Sequence, residues 1–126
     1  MNQSAFHKLS YGVYVVSTWD NGRPTGCTAN SAMQITSTPA TIAVSINHNN
    51  YTNKCISETG KFAISILAED SNPSIIGTFG FKTGKESDKF AEVKIICRSY
   101  LTAVPISYAV SLIKWKPQPI RSFWAK

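Results

Sequence analysis

The segment from Thr41 to Thr59 constrains this chain more than any other. Thr41 to Ile46 alternates, with Ile42, Val44 and Ile46 on one side and Thr41, Ala43 and Ser45 on the other. That period of two predicts a half-buried strand whose apolar side is core and whose small side leaves room for something to approach. Asn47-His48-Asn49-Asn50 cannot comfortably continue such a strand. Tyr51 to Thr59 then reads as a helix, capped by Asn50 or Thr52 and stopped by Gly60. A second strand-like run of small and hydroxyl-bearing residues precedes it, from about Thr25 to Ile35. Small residues let a flat ligand lie close to backbone. Hydroxyls, amides and a helix start suit an anionic tail. The stretch from Thr25 to Lys54 therefore reads as a grip for a phosphorylated planar ligand.

The flanking sequence supplies the rest of a sheet. Tyr11 to Thr18 is rich in β-branched and aromatic residues and predicts a strand. Asp20-Asn21-Gly22 is a turn, with Arg23-Pro24 continuing the loop, so this strand forms a hairpin with the run from Thr25. Ser37-Thr38-Pro39 breaks the chain. Phe62 to Leu67 alternates again, with Phe62, Ile64 and Ile66 on one face. Asn72-Pro73 opens a helix that runs to about Phe79 and ends near Gly80. Phe81 to Glu86 is a polar loop, Ser87 to Phe90 a single helical turn, and residues 3–9 a short helix or arm. Strand-like material follows Val93, interrupted by Pro105 and ended by Pro117 and Pro119. The pattern is mainly β and antiparallel with short connecting helices. Closing the sheet into a barrel would remove its edges.

Composition removes several function classes. The chain has 126 residues, enough for one domain with a core. No apolar run approaches the roughly 20 residues of a membrane span, and the N-terminus lacks an apolar signal core, so a cytoplasmic protein with no membrane partner is expected. Three cysteines (Cys27, Cys55, Cys97) without a Cys-x-x-Cys pair, and two distant histidines (His7, His48), speak against a disulfide framework or metal site. The net charge of +6 lies wholly beyond residue 92, since residues 1–92 carry seven basic and seven acidic side chains. A nucleic-acid face built into the fold would draw on the earlier residues too, so no nucleic-acid partner is expected.

Nor do the side chains assemble a catalytic set. Ser31 and Ser45 lie in strands without a Gly-x-Ser-x-Gly elbow. Cys27 and Cys55 read as small buried apolar residues, and Glu69-Asp70 and Glu86/Asp88 as solvated loop carboxylates. Asn50-Tyr51-Thr52 at a helix start, with Lys54 and Lys89 as counter-charges, would suit a phosphate. An ordinary helix cap with surface lysines fits those residues as well. There is no P-loop and no Gly-x-Gly-x-x-Gly fingerprint.

Residues 10–93 resemble the flavin reductase-like family of FMN-binding split barrels, which includes flavoredoxin and the flavin domains of rubredoxin-linked reductases. The matching pieces are Ser10 to Val16, Gly26-Cys27-Thr28-Ala29-Asn30-Ser31, and Pro39 to Ile46. Asn50-Tyr51-Thr52, Phe62 to Leu67, Phe79-Gly80, Gly84 and Asp88-Lys89-Phe90 continue the match. Their order and spacing carry the resemblance. It implies an antiparallel split β-barrel that binds FMN. Thr28, Ala29, Asn30 and Ser31 would line the isoalloxazine ring. Ser45, Ile46 and Asn47 would hold the ribityl chain and ring edge. Asn50, Tyr51 and Thr52 would hold the phosphate, with Lys89 as counter-charge, and Phe79 and Gly80 would close the pocket. The resemblance also implies a homodimer and an oxidoreductase whose donor is NAD(P)H or a redox protein such as rubredoxin. Acceptors of that chemistry are free flavin, rubredoxin, iron or a small disulfide. No catalytic side chain is then required, because the flavin carries the hydride chemistry. A flavin-binding module or truncated remnant without turnover is the alternative.

The resemblance fades after Val93. The expected organisation is therefore a barrel core over 1–93 and a divergent basic segment of the same domain over 94–126. Family members run on further and commonly carry a Gly-Asp-His motif, whereas the tail here has no aspartate and no histidine. A shifted reading frame, a truncated variant and simple divergence all remain open for it, as does a minor role as a nucleic-acid or membrane contact.

Overall fold

A computed structural model describes residues 11–91, 93, 101–106 and 110–114. The expectations for residues 3–9, for Cys97, and for Pro117, Pro119 and the end of the tail lie outside the described residues. In chain order the elements are β1 (Tyr14–Asp20), β2 (Arg23–Ala29), β3 (Ala32–Ser37), β4 (Ala40–Ser45), α1 (Tyr51–Thr59), β5 (Lys61–Ile66), α2 (Pro73–Phe81), β6 (Leu101–Ile106) and β7 (Val110–Lys114).

The strands form an antiparallel sheet in the order β2-β1-β5-β6-β7-β4-β3. Its two end strands, β2 and β3, are consecutive in sequence and only Asn30 and Ser31 separate them. Two residues span at most about 10 Å of chain between the flanking Cα atoms. The sheet must therefore curl until its ends approach. Among the described residues β2 pairs only with β1, and β3 only with β4. The barrel is thus closed by chain at one point and split elsewhere, as a mainly β split barrel should be.

The β1–β2 hairpin turns at Asn21 and Gly22, both at positive φ (48° and 85°). This is the two-residue arrangement that matches strand twist. Arg23-Pro24 lies inside β2 rather than in a loop. Pro24 is tolerated there because β2 is an end strand and needs no second ladder. The expected single strand from Thr25 to Ile35 is in fact β2 and β3. Ala29 faces Tyr14 of β1, whereas Ala32 faces Val44 of β4, so the chain changes partner at Asn30-Ser31. Pro105 does not interrupt a strand either. It pairs with Ser111 within β6, beyond the short stretch where β6 also meets β5.

Both helices begin where their caps predict. The Asn50 side chain accepts the Thr52 N–H and Gly60, at φ 64°, ends α1. The Asn72 side chain accepts the Ser74 N–H, with Pro73 in the first turn of α2, which extends to Phe81. The expected helical turn at Ser87 to Phe90 is absent. Asp88 instead accepts the Phe90 N–H at 3.0 Å, a local side-chain turn that competes with helix.

Adjacent residues Val15 and Val16 point to opposite faces of the sheet and seed two cores. Val16, Val44, Ile56 and Phe62 are buried together, with Ala29, Ala32, Ile42, Ile46 and Ile64 against them, so α1 packs on the barrel's inner face. The apolar side of Ile42, Val44 and Ile46 is core as the alternation predicts. Val15, Phe79 and Phe90 form the second core with Leu67, Ile75 and Val93, under α2. Ile66 departs from expectation and is 78% exposed. It is the last residue of β5, where the strand leaves the packed region.

Candidate functional site

The crossover at Asn30-Ser31 is the point from which the site is built. Ser45, at the end of β4, donates its N–H to Ser31 O at 2.9 Å. Ser31 Oγ donates to Asn30 Oδ1 at 3.1 Å. Beyond β4, the Asn49 N–H reaches Asn47 Oδ1 and the Asn50 N–H reaches Asn47 O, both at 2.9 Å. The Asn53 amide donates to Ile46 O at 3.1 Å and ties this loop to α1. Asn30, Ser31, Ser45, Ile46, Asn47 and Asn50 thus form one continuous rim. Asn30, Ser45 and Asn47 are exposed on it.

Thr28 and Ala29 approach the crossover from opposite faces of β2. Ala29 packs on the inner core. Thr28 Oγ1 turns to α2, donating to Ile76 O at 3.4 Å. Gly80 lies beside it, such that a Cβ there would come no nearer than 3.6 Å to Thr28 Oγ1. One flat ring cannot touch both side chains, so the wall such a ring meets is the backbone edge of β2. The facing edges of β2 and β3 are not paired with each other, and an unpaired strand edge offers alternating N–H and C=O groups. That donor and acceptor row, with small residues Ala29 and Ser31 beside it, fits the hydrogen-bonding edge of a flat heteroaromatic ring.

The helix start fits an anion less well than its sequence suggests. The Asn50 side chain already accepts the Thr52 N–H at 2.9 Å. Asn50 O accepts the N–H groups of Asn53 and Lys54. Thr52 is only 1% exposed and its hydroxyl bonds the Cys27 thiol. Tyr51 reaches over the β1–β2 hairpin and donates to Asp20 Oδ2 at 2.7 Å, which pushes its pKa up to about 12. Asp20 is also 3.4 Å from Arg23, whose guanidinium donates to Gly84 O at 2.6 Å. Asn50 and exposed Lys54, 3.7 Å from Glu58, are what remain near the surface there.

Phe79 and Lys89 do not join that rim. Phe79 is 1% exposed and meets Phe90 edge-on at 4.9 Å between ring centres. It is core beneath α2 rather than a lid. Lys89 is buried, and its ammonium donates to Gly26 O at 2.7 Å and Phe79 O at 3.2 Å. Burial lowers its pKa, and the same cause raises those of Cys27 and Cys55. Lys89 therefore pins β2 to the last turn of α2, where a cation also meets the negative end of the helix dipole.

Residue-by-residue reading missed Asn53, Asp20 and Arg23. Asn53 stands three residues after the cap Asn50, the spacing at which a side chain reaches back to the helix entry. Among the described residues no group of three or more His, Cys, Asp or Glu could hold a metal ion.

Residues 6–109 match the family model described as the flavin reductase like domain, past Val93 and through β6. The chain belongs to this family. It is a flavin-dependent oxidoreductase family. The chain is 39% identical over 118 residues to a ferric-chelate reductase (NAD(P)H) of Archaeoglobus fulgidus, covering 92% of this chain and 69% of that protein. It is 47% identical over 93 residues to a high molecular weight rubredoxin of Moorella thermoacetica, covering 74% of this chain but only 41% of that one. Its fold is that of flavoredoxin from Desulfovibrio vulgaris (TM-score 0.74, 24% identity, 84% of this chain and 68% of that one). It is also that of an FMN-binding protein from Thermus thermophilus (TM-score 0.76, 15% identity, 94% and 79%).

Proposed function

We propose that this chain is an FMN-dependent reductase that takes electrons from NAD(P)H or a redox protein and passes them to a ferric chelate or a rubredoxin-type acceptor. The carrying observation is the split between β2 and β3 at Asn30-Ser31, within a chain whose family is flavin reductase like. The ferric-chelate reductase similarity supports the nicotinamide donor and iron acceptor. The rubredoxin similarity supports a protein partner. A homodimer working in the cytoplasm completes the reading; among the described residues no helix is long and apolar enough to cross a membrane.

FMN supplies the electron-transfer chemistry when bound. The chain's part is binding and orientation. The β2 edge from Thr28 to Ser31 orients the ring, with the Asn30 amide as an adaptable donor and acceptor at its rim. Ile46 and Ala32 bring apolar surface beneath and limit water. Ser45 and Asn47 hold the polar chain, and Asn50 with Lys54 receives the phosphate at the start of α1, the cap opening to offer its N–H groups. The Tyr51–Asp20–Arg23 chain of contacts holds that helix start against the hairpin.

Steady-state turnover tests this. The protein with FMN should oxidise NADPH or NADH and reduce a ferric chelate, and Asn30→Ala should lower FMN affinity about tenfold through a lost hydrogen bond to the ring. A protein that takes up FMN yet transfers no electrons from any nicotinamide or rubredoxin-type donor is a flavin carrier instead. An Asn30→Ala variant with unchanged FMN affinity would remove the crossover from the site.

A further inference from the structure

Helix α2 has two flanks with different chemistry. Ile76 and Gly80 face Thr28 on one side. Ser74, Thr78 and Lys82 recur every four residues along the other. That second flank, with Asn72 and Ile75, faces Asp88, Lys89, Ala91 and Val93 across a groove of about 450 Å³. The groove belongs to the α2 side of the sheet, whereas α1 and its cap Asn50 pack on the inner side.

Lys89 is part of this groove's lining while only 4% exposed. Two of its three ammonium protons go to the carbonyls of Gly26 and Phe79. Among the described residues no carboxylate lies within ion-pair distance of it. Neighbouring Asp88 uses Oδ1 to accept the Phe90 N–H. Among the described residues the hydrogen-bond partners of this buried cation are carbonyl dipoles, which leave a positive potential that an anion relieves. Burial holds the Lys89 pKa below its ordinary value. Lys82 adds a second cation at the rim, and Ser74, Thr78 and Asn72 add hydroxyl and amide donors. Cations with short hydrogen-bond donors are what a phosphate group needs.

We propose that the groove between α2 and the segment Asp88–Val93 binds the phosphate group of a small molecule, with Lys82 and Lys89 as its cations and Ser74 and Thr78 as its hydroxyl donors. The phosphate is that of a second ligand such as the nicotinamide dinucleotide, because the flavin's own is assigned to the start of α1 on the other side of the sheet. The groove's chemistry holds whether or not the chain is a reductase.

The test is a titration of the full ¹⁵N-labelled chain with inorganic phosphate and then pyrophosphate, in the native protein and in Lys82→Glu. Lys82 is exposed at the end of α2, so this variant should keep the native spectrum. Saturable shifts at Ser74, Thr78, Lys82 and Lys89, with binding at least about tenfold weaker in Lys82→Glu, are expected. Shifts that stay linear with concentration, shifts confined to the start of α1, or equal binding in Lys82→Glu would overturn the proposal. Affinities for FMN and riboflavin then check the ligand. Lys82→Glu should raise KM for NADPH or NADH with FMN affinity intact. A loss of FMN affinity with riboflavin affinity unchanged would put the flavin phosphate in the groove and overturn the assignment to a second ligand. Loss of the groove's binding leaves FMN uptake measurable by its visible band, so the two readings fail separately.

Discussion

Replacing Lys89 with methionine tests how α2 is held to the barrel. Methionine keeps most of the apolar stem and removes the ammonium. Two hydrogen bonds disappear, at 2.7 Å to Gly26 O and 3.2 Å to Phe79 O. A hydrogen bond from a charged donor contributes roughly 1.5–3 kcal/mol, with the longer bond at the low end. Against this stands the relief of no longer burying a cation, the effect that lowers the Lys89 pKa. Replacing buried charge with apolar surface recovers part of such a loss. The net expectation is a destabilisation of about 2–4 kcal/mol, because the Phe79 and Gly26 carbonyls lose their donor. For a domain of this size that corresponds to a fall in Tm of about 8–15 °C. Urea unfolding of both proteins, with equal m-values, is the assay. Lys89→Arg should recover only part, since a guanidinium cannot reproduce the ammonium's position. The lowered pKa adds a pH signature. The unfolded chain holds the Lys89 proton to higher pH than the folded chain, so native stability should rise relative to Lys89→Met as pH climbs towards the ordinary lysine value near 10.5. A methionine variant as stable as the native protein at neutral pH would refute the clamp.

Glycine positions give two contrasting outcomes. A Cβ on Gly26 would sit 2.8 Å from Val16 O and 3.4 Å from the Phe79 ring, so Gly26→Ala should cost about 1–3 kcal/mol in urea unfolding. Gly77, within α2, meets nothing within 4 Å, and Gly77→Ala should stabilise by about 0.5–1 kcal/mol. Thr52→Ala should lower stability by about 1 kcal/mol through its lost contact with Cys27 and leave FMN affinity within about twofold; a tenfold loss of affinity measured by fluorescence titration would put the phosphate on Thr52 instead. Tyr51, raised to about 12 by its bond to Asp20, supports stability that is intact below pH 10 and lost as pH rises to about 12, because the unfolded tyrosine ionises first. Tyr51→Phe should lack that decline, and identical alkaline unfolding curves for the two proteins would contradict the bond.

What was legible in the chain was its local punctuation. Asn50 and Gly60 bracket α1, Asn72-Pro73 opens α2, and Asn21-Gly22 makes the hairpin, each through chemistry confined to a few residues. The alternation of Ile42, Val44 and Ile46 was legible for the same reason. What escaped is decided across long separations. Asn30-Ser31 is a turn-type pair, but nothing local says that the chain exchanges strand partners there. Lys89 reads as a surface lysine until Gly26, whose missing Cβ also lets Phe79 approach, comes beside it through the fold. Thr52 and Tyr51 stand at the expected helix start, but their side chains are drawn to Cys27 and Asp20 by strands that the helix packs on. Strand-like material beyond Val93 was legible, but its place in the sheet was not. Val110 to Lys114 pairs with β4 and bridges it to Leu101–Ile106, so part of the segment that looked foreign carries the sheet from one half to the other.

The central claim is that the parting of β2 and β3 holds FMN. An equilibrium titration of the flavin-free full chain with FMN, followed by quenching of flavin fluorescence and by the shift of its visible band, tests it directly. The account predicts one saturable site per chain, weakened about tenfold by Asn30→Ala. Absence of saturable uptake by the folded protein, or uptake indifferent to Asn30, would contradict it.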